Sequence, residues 1–264
     1  MIMTILRKIK ATIKKVSAVK MTLAGRRAMK TNDGKLKRLF FLKDFFSDLK
    51  KYRAMKKNDA FALPLENLKP CIFDKTNDTP VDPVYFYQDS WCAKKIFENK
   101  PAHHYDIGSK AEMVGIISQF TPTTMVDIRP INLAMPSFSF QTADILHLPF
   151  PDDSLPSVSS ICVVEHIGLG RYGDALDPYG SEKAIDELKR VLAPGGDLYL
   201  SVPVDDRSKI YFNAHRAFTR DHILRLLKPL ELLEEKYIYG RELCDTYDVT
   251  QGFGTGLYHV RKTP

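Results

Sequence analysis

Two short apolar segments, each ending on an aspartate, follow one another in TTMVDIRPINLAMPSFSFQTAD, which covers residues 123–144. Runs of the same kind lie on both sides of it: HHYDIGS at 103–109, VSSICVVEH at 158–166 and GDLYLSVPV at 196–204. Each run ends in polar or glycine-containing residues, as strands do at the edge of a sheet. Helical segments separate several of them. This alternation predicts an α/β fold with a doubly wound, mostly parallel sheet and helices on both faces.

The clearest helix is expected over residues 181–192. Its apolar positions recur at spacings of three and four, which places on one face Ala184, Ile185, Leu188, Val191 and Leu192. We expect Ser181 to cap the start of this helix and Pro194-Gly195-Gly196 to end it.

The composition is that of a globular protein and excludes a disordered or low-complexity chain. The 264 residues are 44% hydrophobic and 27% charged, enough for one domain of about 200 residues and an extension. The four cysteines are far apart and form no C-x-x-C pair, so we expect neither a disulfide framework nor a zinc site. The first residues are rich in lysine where a secretory signal needs an apolar segment, so a cytoplasmic protein without a membrane span is expected.

The positive charge is concentrated at the N-terminus. Residues 1–60 hold 18 lysines and arginines against 4 acids, whereas the remainder is net acidic. Residues 2–16 have the spacing of an amphipathic helix, and residues 35–57 surround Phe40, Phe41, Phe45 and Phe46 with basic residues. Residues 1–57 are therefore predicted to bind an anionic membrane surface, peripherally on its inner face. Packing of these helices on the main domain is an equal alternative, a mitochondrial targeting segment is another, and no nucleic acid is expected.

These observations predict three parts: a basic amphipathic helical arm over residues 1–61, a Pro-rich linker over 62–84, and an α/β domain over 85–264.

Acidic residues stand at the ends of four predicted strands: Asp106, Asp127, Asp144 and Glu165. In an open α/β sheet the ligand lies outside the carboxyl ends of the strands, where loops meet helix N-termini. One such acid is more often a turn former or a helix cap than a ligand group. Four in the same position predict a binding site at this edge.

The same segments resemble the class I S-adenosylmethionine-dependent methyltransferases, which have a Rossmann-like fold, over about residues 100–240. The matching strings are YDIGS, VDIRP, TADILHLPFPDDS, VVEHI and ELKRVLAPGGDLYLSVPV. The strings EHIGLGRYGDALDPYGS and FNAHR, with DIGS and DIRP, resemble more narrowly an uncharacterised methyltransferase-like family. The resemblance implies S-adenosylmethionine as cofactor, held by Asp106, Ile107, Gly108, Ser109, Lys110, Asp127, Ile128, Asp144 and Ile145.

The residue chemistry agrees with that cofactor. Asp127 can accept hydrogen bonds from both ribose hydroxyls, as the acid after the second strand of a dinucleotide fold does. Asp144 is expected at the adenine amine, with Ile145 beside the ring. Gly108 permits a close backbone approach, and Ser109 can hold the methionine carboxylate at a helix N-terminus.

The first loop departs from the family pattern of Asp-x-Gly-x-Gly-x-Gly. Lys110 and Glu112 stand where the second and third glycines belong. Lys110 either pairs with the methionine carboxylate or fills the site. The second possibility leaves, as an alternative function, a catalytically inactive methyltransferase-fold scaffold or binding module.

The acceptor side is predicted around the glycine-rich loop at residues 168–180. His166 is the expected general base, and Glu165 and His215 complete the predicted catalytic group. The acceptor is expected to contact Arg171, Tyr172, Asp174, Asn213 and Arg216. A structural role for His166 is as plausible as catalysis, and staples within the loop are the alternative for its charged residues. The predicted activity is methyl transfer to a hydroxyl of a small or glycan-like polar acceptor. A dinucleotide oxidoreductase and an α/β-hydrolase are disfavoured because G-x-G-x-x-G and G-x-S-x-G are absent.

Overall fold

The computed structural model describes residues 32–55 and 60–264, with side chains from residue 40. The chain divides into two compact units, Met1–Pro80 and Val81–Pro264. The amphipathic helix predicted over residues 2–16 lies outside the described residues. The second unit begins, at Val81, inside the segment predicted as linker, and its first helix begins at Pro83.

The first unit contains helix α1, Asn32–Ala54, followed by a single 3-10 turn at Leu65–Asn67. Aromatic rings meet edge to face along and beside α1: Phe41 contacts Phe40 and Phe73, with ring centroids 6.2 and 5.9 Å away, and Phe45 contacts Phe46 at 5.4 Å. Phe40, Tyr52 and Met55 are each more than half exposed. Among the described residues, no helix is long and apolar enough to cross a lipid bilayer.

The second unit is built on an eight-stranded sheet with strand order β3-β2-β1-β4-β5-β10-β8-β9. Its strands are β1 His104–Ile107, β2 Thr123–Asp127, β3 Phe138–Thr142, β4 Leu155–Ile161, β5 Leu192–Val204, β8 Glu231–Tyr239, β9 Glu242–Cys244 and β10 Gly254–Arg261; β6 Lys209–Tyr211 and β7 His215–Ala217 form a separate hairpin. β1 to β5 pair in parallel, and β10 lies antiparallel between β5 and β8. The five predicted strands and the mostly parallel sheet are confirmed.

Helices cover both faces of this sheet: α2 Pro83–Asn99, α3 Ala111–Ile117, α4 Gly180–Val191 and α5 Arg220–Leu227. α2 and α3 pack in one apolar cluster with Tyr199 of β5. α4 and α5 pack in a second cluster with the neighbouring Leu198, which points to the other face because side chains alternate along a strand. α2 begins where the side chain of Asp82 accepts hydrogen bonds from the amides of Val84 and Tyr85.

The helix α4 forms as predicted, but its two ends differ from the expectation. Ser181 does not cap it, because its hydroxyl donates to the carbonyl of Val164 at 2.7 Å. The helix ends at Val191 and the chain passes directly into β5, so Pro194-Gly195-Gly196 lies within the irregular start of that strand. The pairing register of β5 shifts against Leu155 and Ser157 of β4 at this point. A Pro-Gly-Gly motif that predicts the end of a helix therefore lies near the start of a strand in this protein.

Candidate functional site

A cavity of about 340 Å³ lies at the carboxyl ends of β1, β2 and β4. This is the point where the strand order reverses between β1 and β4, and open α/β sheets bind their ligands at such points. Its walls come from the residues after four strands and from the following glycine-rich loop: Ile107 and Gly108, Asp127 to Arg129, Ala143 to Leu146, Cys162, Val163 and His166, and Gly168 with Tyr172 to Ala175. Its volume lies near the lower limit of ligand pockets, roughly 300 to 1,000 Å³.

Gly108 lets the first loop turn tightly at the cavity wall. Its φ is +77°, in the left-handed region, and a Cβ added there would lie 2.9 Å from Cγ1 of Val163. Its amide donates to the carbonyl of Val126 at 2.8 Å. A side chain at this position would both strain the loop and reduce the cavity.

Asp106 and Ser109 do not line the cavity, unlike the arrangement predicted from the strand-end pattern. Asp106 is fully buried, and its two oxygens accept from the amide of Ser109 at 3.0 Å and the hydroxyl of Ser159 at 2.5 Å. Burial raises the pKa of Asp106 to about 6, against the opposing effect of these hydrogen bonds. The Ser109 hydroxyl accepts from the amide of Ile161 at 2.9 Å. The side chains of Asp106 and Ser109 therefore stabilise the loop through buried hydrogen bonds and do not contact the cavity.

Lys110 also points elsewhere. It stands at the start of α3, and its ammonium lies 5.0 Å from the centroid of the Tyr85 ring on α2, a cation–π contact. It is not among the residues that line the cavity. The lysine that replaces the second glycine of the family pattern therefore leaves the cavity open.

Asp127 ends β2 and faces the cavity, and it is held by Arg129. Its Oδ1 accepts from the amide and Nε of Arg129 at 2.8 and 3.1 Å, and its Oδ2 accepts from Nη2 at 3.0 Å. The next predicted residue, Ile128, is partly exposed at the cavity wall.

Asp144 follows β3, the strand that pairs with β2, and also lines the cavity. Its Oδ1 accepts from the amide of Leu146 at 2.9 Å, and about half of its side chain is exposed. The buried Ile145 and the partly buried Leu146 give this part of the cavity apolar walls beside one carboxylate. Such a combination suits a flat heterocycle with an amine at its edge.

His166 lines the cavity in the 3-10 turn after β4, Val164–His166. Its Nδ1 lies 2.6 Å from the carbonyl oxygen of Ala214. Because a carbonyl only accepts, Nδ1 carries the proton of the neutral ring and Nε2 has the free lone pair. Burial lowers the pKa of His166 to about 4, although the Ala214 hydrogen bond acts the other way. The ring is therefore neutral near pH 7, as a general base must be.

Glu165 is almost fully buried beside His166, with Oε1 3.6 Å from Nε2 of that ring. Its Oε2 is buried without a hydrogen-bond partner. Burial raises the pKa of Glu165 to about 8, and the contact with Cys162 lowers it only in part. At neutral pH this carboxyl group therefore keeps its proton.

The predicted residues of FNAHR lie in and beside the β6–β7 hairpin and differ in their surroundings. His215 has a buried Nε2 without a partner, and its ring lies 6.5 Å from that of His166. Burial lowers the pKa of His215. Asn213 is exposed in the turn and does not line the cavity.

Arg216 is buried and braces the glycine-rich loop. Its guanidinium donates to the carbonyls of Ile167, Asp177 and Pro178, at 2.5, 2.9 and 3.2 Å, and to the hydroxyl of Ser181 at 3.1 Å. All four bonds stay within the protein. The structure thus points to a supporting function for the residue that we predicted to bind the acceptor.

Asp174 also stabilises the conformation of the loop through hydrogen bonds, although it lines the cavity. Its carboxylate accepts from the amides of Gly168, Gly170 and Tyr172, at 2.7, 3.2 and 3.2 Å. Partial burial raises the pKa of Asp174, but the three amides lower it more, so that the net shift is downward. The Tyr172 ring lies beside the cations of Arg129 and Arg171.

Several residues of the cavity wall are not among the predicted site residues, and two of them carry polar side-chain contacts: Arg129 and Cys162. Arg129 follows the strand-end Asp127 by two residues, a spacing that lets its guanidinium reach both oxygens of that carboxylate. Cys162 follows β4 directly, with φ +53°, and its Sγ lies between the side chains of Gln88 of α2 and Ser201 of β5, 3.1 and 3.3 Å away. No pattern in the sequence indicates this contact, because Gln88 is distant along the chain.

Comparisons with known proteins agree with this architecture. The N-methyltransferase NodS from Bradyrhizobium japonicum WM9 is similar in structure, with a TM-score of 0.51 and 17% identity over 69% of this chain and 98% of NodS. A protein from Galdieria sulphuraria assigned as a sarcosine dimethylglycine methyltransferase gives 0.51 and 15% over 70% of this chain and 92% of its own. The chain therefore has the Rossmann-like fold of class I methyltransferases.

A family model described as Caenorhabditis protein of unknown function, DUF268, matches residues 148–250. This range contains β4, the glycine-rich loop, α4, β5 and the β6–β7 hairpin, which is the side of the cavity with His166. No curated protein matches the sequence.

Proposed function

We propose that the protein is an S-adenosylmethionine-dependent methyltransferase that methylates a hydroxyl of a small or glycan-like polar acceptor. The observation that carries the proposal is the cavity at the reversal of strand order, with the carboxylate of Asp127 on its wall and no side chain on Gly108. The methyltransferase fold agrees with this function.

The cavity residues fit the cofactor. Asp127 supplies the two acceptor oxygens that a ribose diol needs once the Arg129 guanidinium leaves them, and Gly108 allows a close backbone approach. Ile128, Ile145 and Leu146 offer apolar contact to adenine, with Asp144 at its amine. The bound cofactor would supply a methyl group already activated by a sulfonium.

The chain's own residues then have to orient the acceptor and remove its proton. His166 is suited to the second task because it is neutral, is fixed by Ala214 and has its free lone pair on Nε2. Glu165 lies 3.6 Å from that nitrogen, beyond hydrogen-bond distance, so Ala214 orients the ring and Glu165 forms the buried surface beside it. The loop at residues 168–175, stapled by Asp174, closes the acceptor side of the cavity.

Cofactor binding is tested by isothermal titration with S-adenosylhomocysteine. We expect the wild type to bind and Asp127→Asn to bind at least about tenfold more weakly, because an amide keeps only one acceptor oxygen. Asp221→Asn is the control, since Asp221 is exposed and outside the cavity. A folded wild type that releases no heat at high micromolar ligand would favour the alternative of an inactive scaffold.

The general base is tested with His166→Gln. Formation of S-adenosylhomocysteine in the presence of a panel of hydroxyl compounds should fall by about 100-fold or more, whereas affinity for the cofactor product should stay within about twofold. His222→Gln, a change outside the cavity, serves as the control. Unchanged turnover in His166→Gln would refute the assignment of the base.

A further inference from the structure

Two arginines from different loops meet one aromatic ring at the cavity. Cζ of Arg129, which follows β2, lies 4.8 Å from the centroid of the Tyr172 ring, and Cζ of Arg171 lies 5.1 Å from it. Arg129 and Tyr172 line the cavity, and the Arg129 side chain is 60% exposed. Cation–π contacts thus hold two guanidinium groups near the opening of the site.

Arg171 has no carboxylate partner within the part of the chain that the structure describes. Its Nη1 donates to the carbonyl of Ala214 at 2.9 Å and lies 3.4 Å from Nδ1 of His166. Asp174 is close in sequence, but its oxygens accept from backbone amides. A cation without a counter-charge therefore lies next to the proposed base.

Arg129 does have a partner, but that partner is Asp127. The two carboxylate oxygens offer about four lone pairs, and the amide, Nε and Nη2 of Arg129 occupy three of them. Two ribose hydroxyls cannot both bind in the remaining position. A cofactor that binds through Asp127 must therefore displace the Arg129 guanidinium.

We propose that Arg129 and Arg171 form a binding site beside Tyr172 for an oxyanion of the methyl acceptor, and that Arg129 becomes available when ribose takes Asp127. This inference rests on the proposed function and deepens it. Guanidinium groups bind carboxylate and phosphate through paired N–H donors. Arg171 contacts His166, and the rings of His166 and Tyr172 are 5.5 Å apart. An acceptor whose oxyanion binds the two arginines while its hydroxyl faces His166 therefore carries these two groups only a few bonds apart. The acceptor class is then a hydroxy acid or a phosphorylated alcohol, and the cofactor binds first.

The test follows the arginine Nε–Hε signals of the ¹⁵N-labelled full chain by NMR. The spectra of Arg129→Gln and Arg171→Gln assign the two signals, because each variant lacks one. We expect S-adenosylhomocysteine to shift the Arg129 signal, and adenosine, which carries the ribose without a carboxylate, to do the same. Inorganic phosphate or acetate should then shift both signals, with an apparent Kd at least about tenfold lower in the presence of S-adenosylhomocysteine.

The two probes separate the possible sources, since tighter binding of phosphate indicates a phosphorylated acceptor and tighter binding of acetate indicates a carboxylate. Arg171→Gln should weaken the preferred anion by about tenfold, and Arg207→Gln, an exposed arginine outside the cavity, should not. Anion binding that ignores S-adenosylhomocysteine, or that survives Arg171→Gln, overturns the inference although the cofactor binds. Absence of any response to S-adenosylhomocysteine instead contradicts the proposed function.

Discussion

At the scale of single residues, Glu165 and His166 respond to burial in opposite ways. Burial disfavours the charged form of both groups, which raises the pKa of the acid to about 8 and lowers that of the base to about 4. Both side chains are therefore neutral over the range between these values. In the reaction that we propose, protonation of His166 would place a positive charge 3.6 Å from Glu165 and would favour ionisation of that carboxyl group.

The buried acid leads to a prediction about stability. Between its ordinary pKa of 4.5 and its folded value of about 8, Glu165 is ionised in the unfolded chain and protonated in the folded one. Its contribution to stability is therefore complete below pH 4.5 and is lost as the pH rises to about 8. Relative to the wild type, Glu165→Gln should gain about 1.4 kcal/mol per pH unit across this range.

Urea unfolding of both proteins at pH 5, 6, 7 and 8 measures this difference. The difference between the two unfolding free energies removes the contribution of the other titratable groups to the pH dependence. These groups include His166, whose lowered pKa makes stability rise with pH. Two parallel stability profiles would mean that Glu165 is already ionised in the folded protein.

At this scale, part of the cavity wall follows from the sequence. Gly108, Asp127, Asp144 and His166 were predicted, because the carboxyl ends of parallel strands meet at one edge. The position of Asp106 within β1 rather than after it turns its side chain toward Ser159, and strand bounds of this precision do not follow from an apolar run. The partners of Arg216 and Cys162 depend on tertiary contacts that local patterns do not encode.

At the scale of elements, the glycine-rich loop depends on two glycines with different surroundings. Gly168 and Gly173 both have positive φ, of +82° and +89°. A Cβ on Gly168 would overlap the carbonyl oxygen of Asp177, whereas one on Gly173 would meet nothing within 4 Å. An alanine at position 168 would therefore add a steric clash to the backbone strain, whereas an alanine at position 173 would add only the strain.

We expect Gly168→Ala to lower the free energy of unfolding by about 2 to 5 kcal/mol and Gly173→Ala by about 1 to 2 kcal/mol. Urea unfolding at pH 7 gives both values, and Gly173→Ala serves as the matched control for strain alone. Equal losses in the two variants would show that the loop moves freely to accommodate a methyl group at residue 168.

The elements were more predictable than their ends. All five predicted strands formed because apolar runs between polar turns are strong signals. The helix α4 ends within one residue of the predicted position, but Pro194-Gly195-Gly196 lies in β5 because this motif also suits an irregular strand entry next to β4. Pairing with β4, which is a tertiary contact, decided between the two.

At the scale of the whole molecule, the first unit is the basis of a separate proposal. Its described part combines the exposed aromatic side chains of Phe40, Phe46 and Tyr52 on α1, and Met55 just after it, with Lys50, Lys51 and Arg53 near the end of that helix. We propose that residues 1–57 bind an anionic membrane surface and thereby place the protein at a membrane. Apolar contact and attraction to acidic lipids would act together there.

Sedimentation with liposomes of mixed neutral and anionic lipid tests this proposal. The full chain should sediment at low salt and be released as the salt concentration rises, since charges are screened over about 10 Å at 0.1 M. Residues 62–264 should remain in the supernatant. Equal sedimentation of both proteins, or sedimentation with neutral liposomes, would contradict the proposal.

The place of β10 in the sheet has a consequence for biosynthesis. β10 follows β8 and β9 in the chain but pairs with β5 on one side and β8 on the other, and seven of its eight residues are buried. Until residues 254–261 have been made and have folded into place, β5 and β8 belong to two sheet fragments with open backbone edges. Such edges invite pairing with other chains, so chaperone cover during this interval would protect the protein from aggregation until its last strand joins the two fragments.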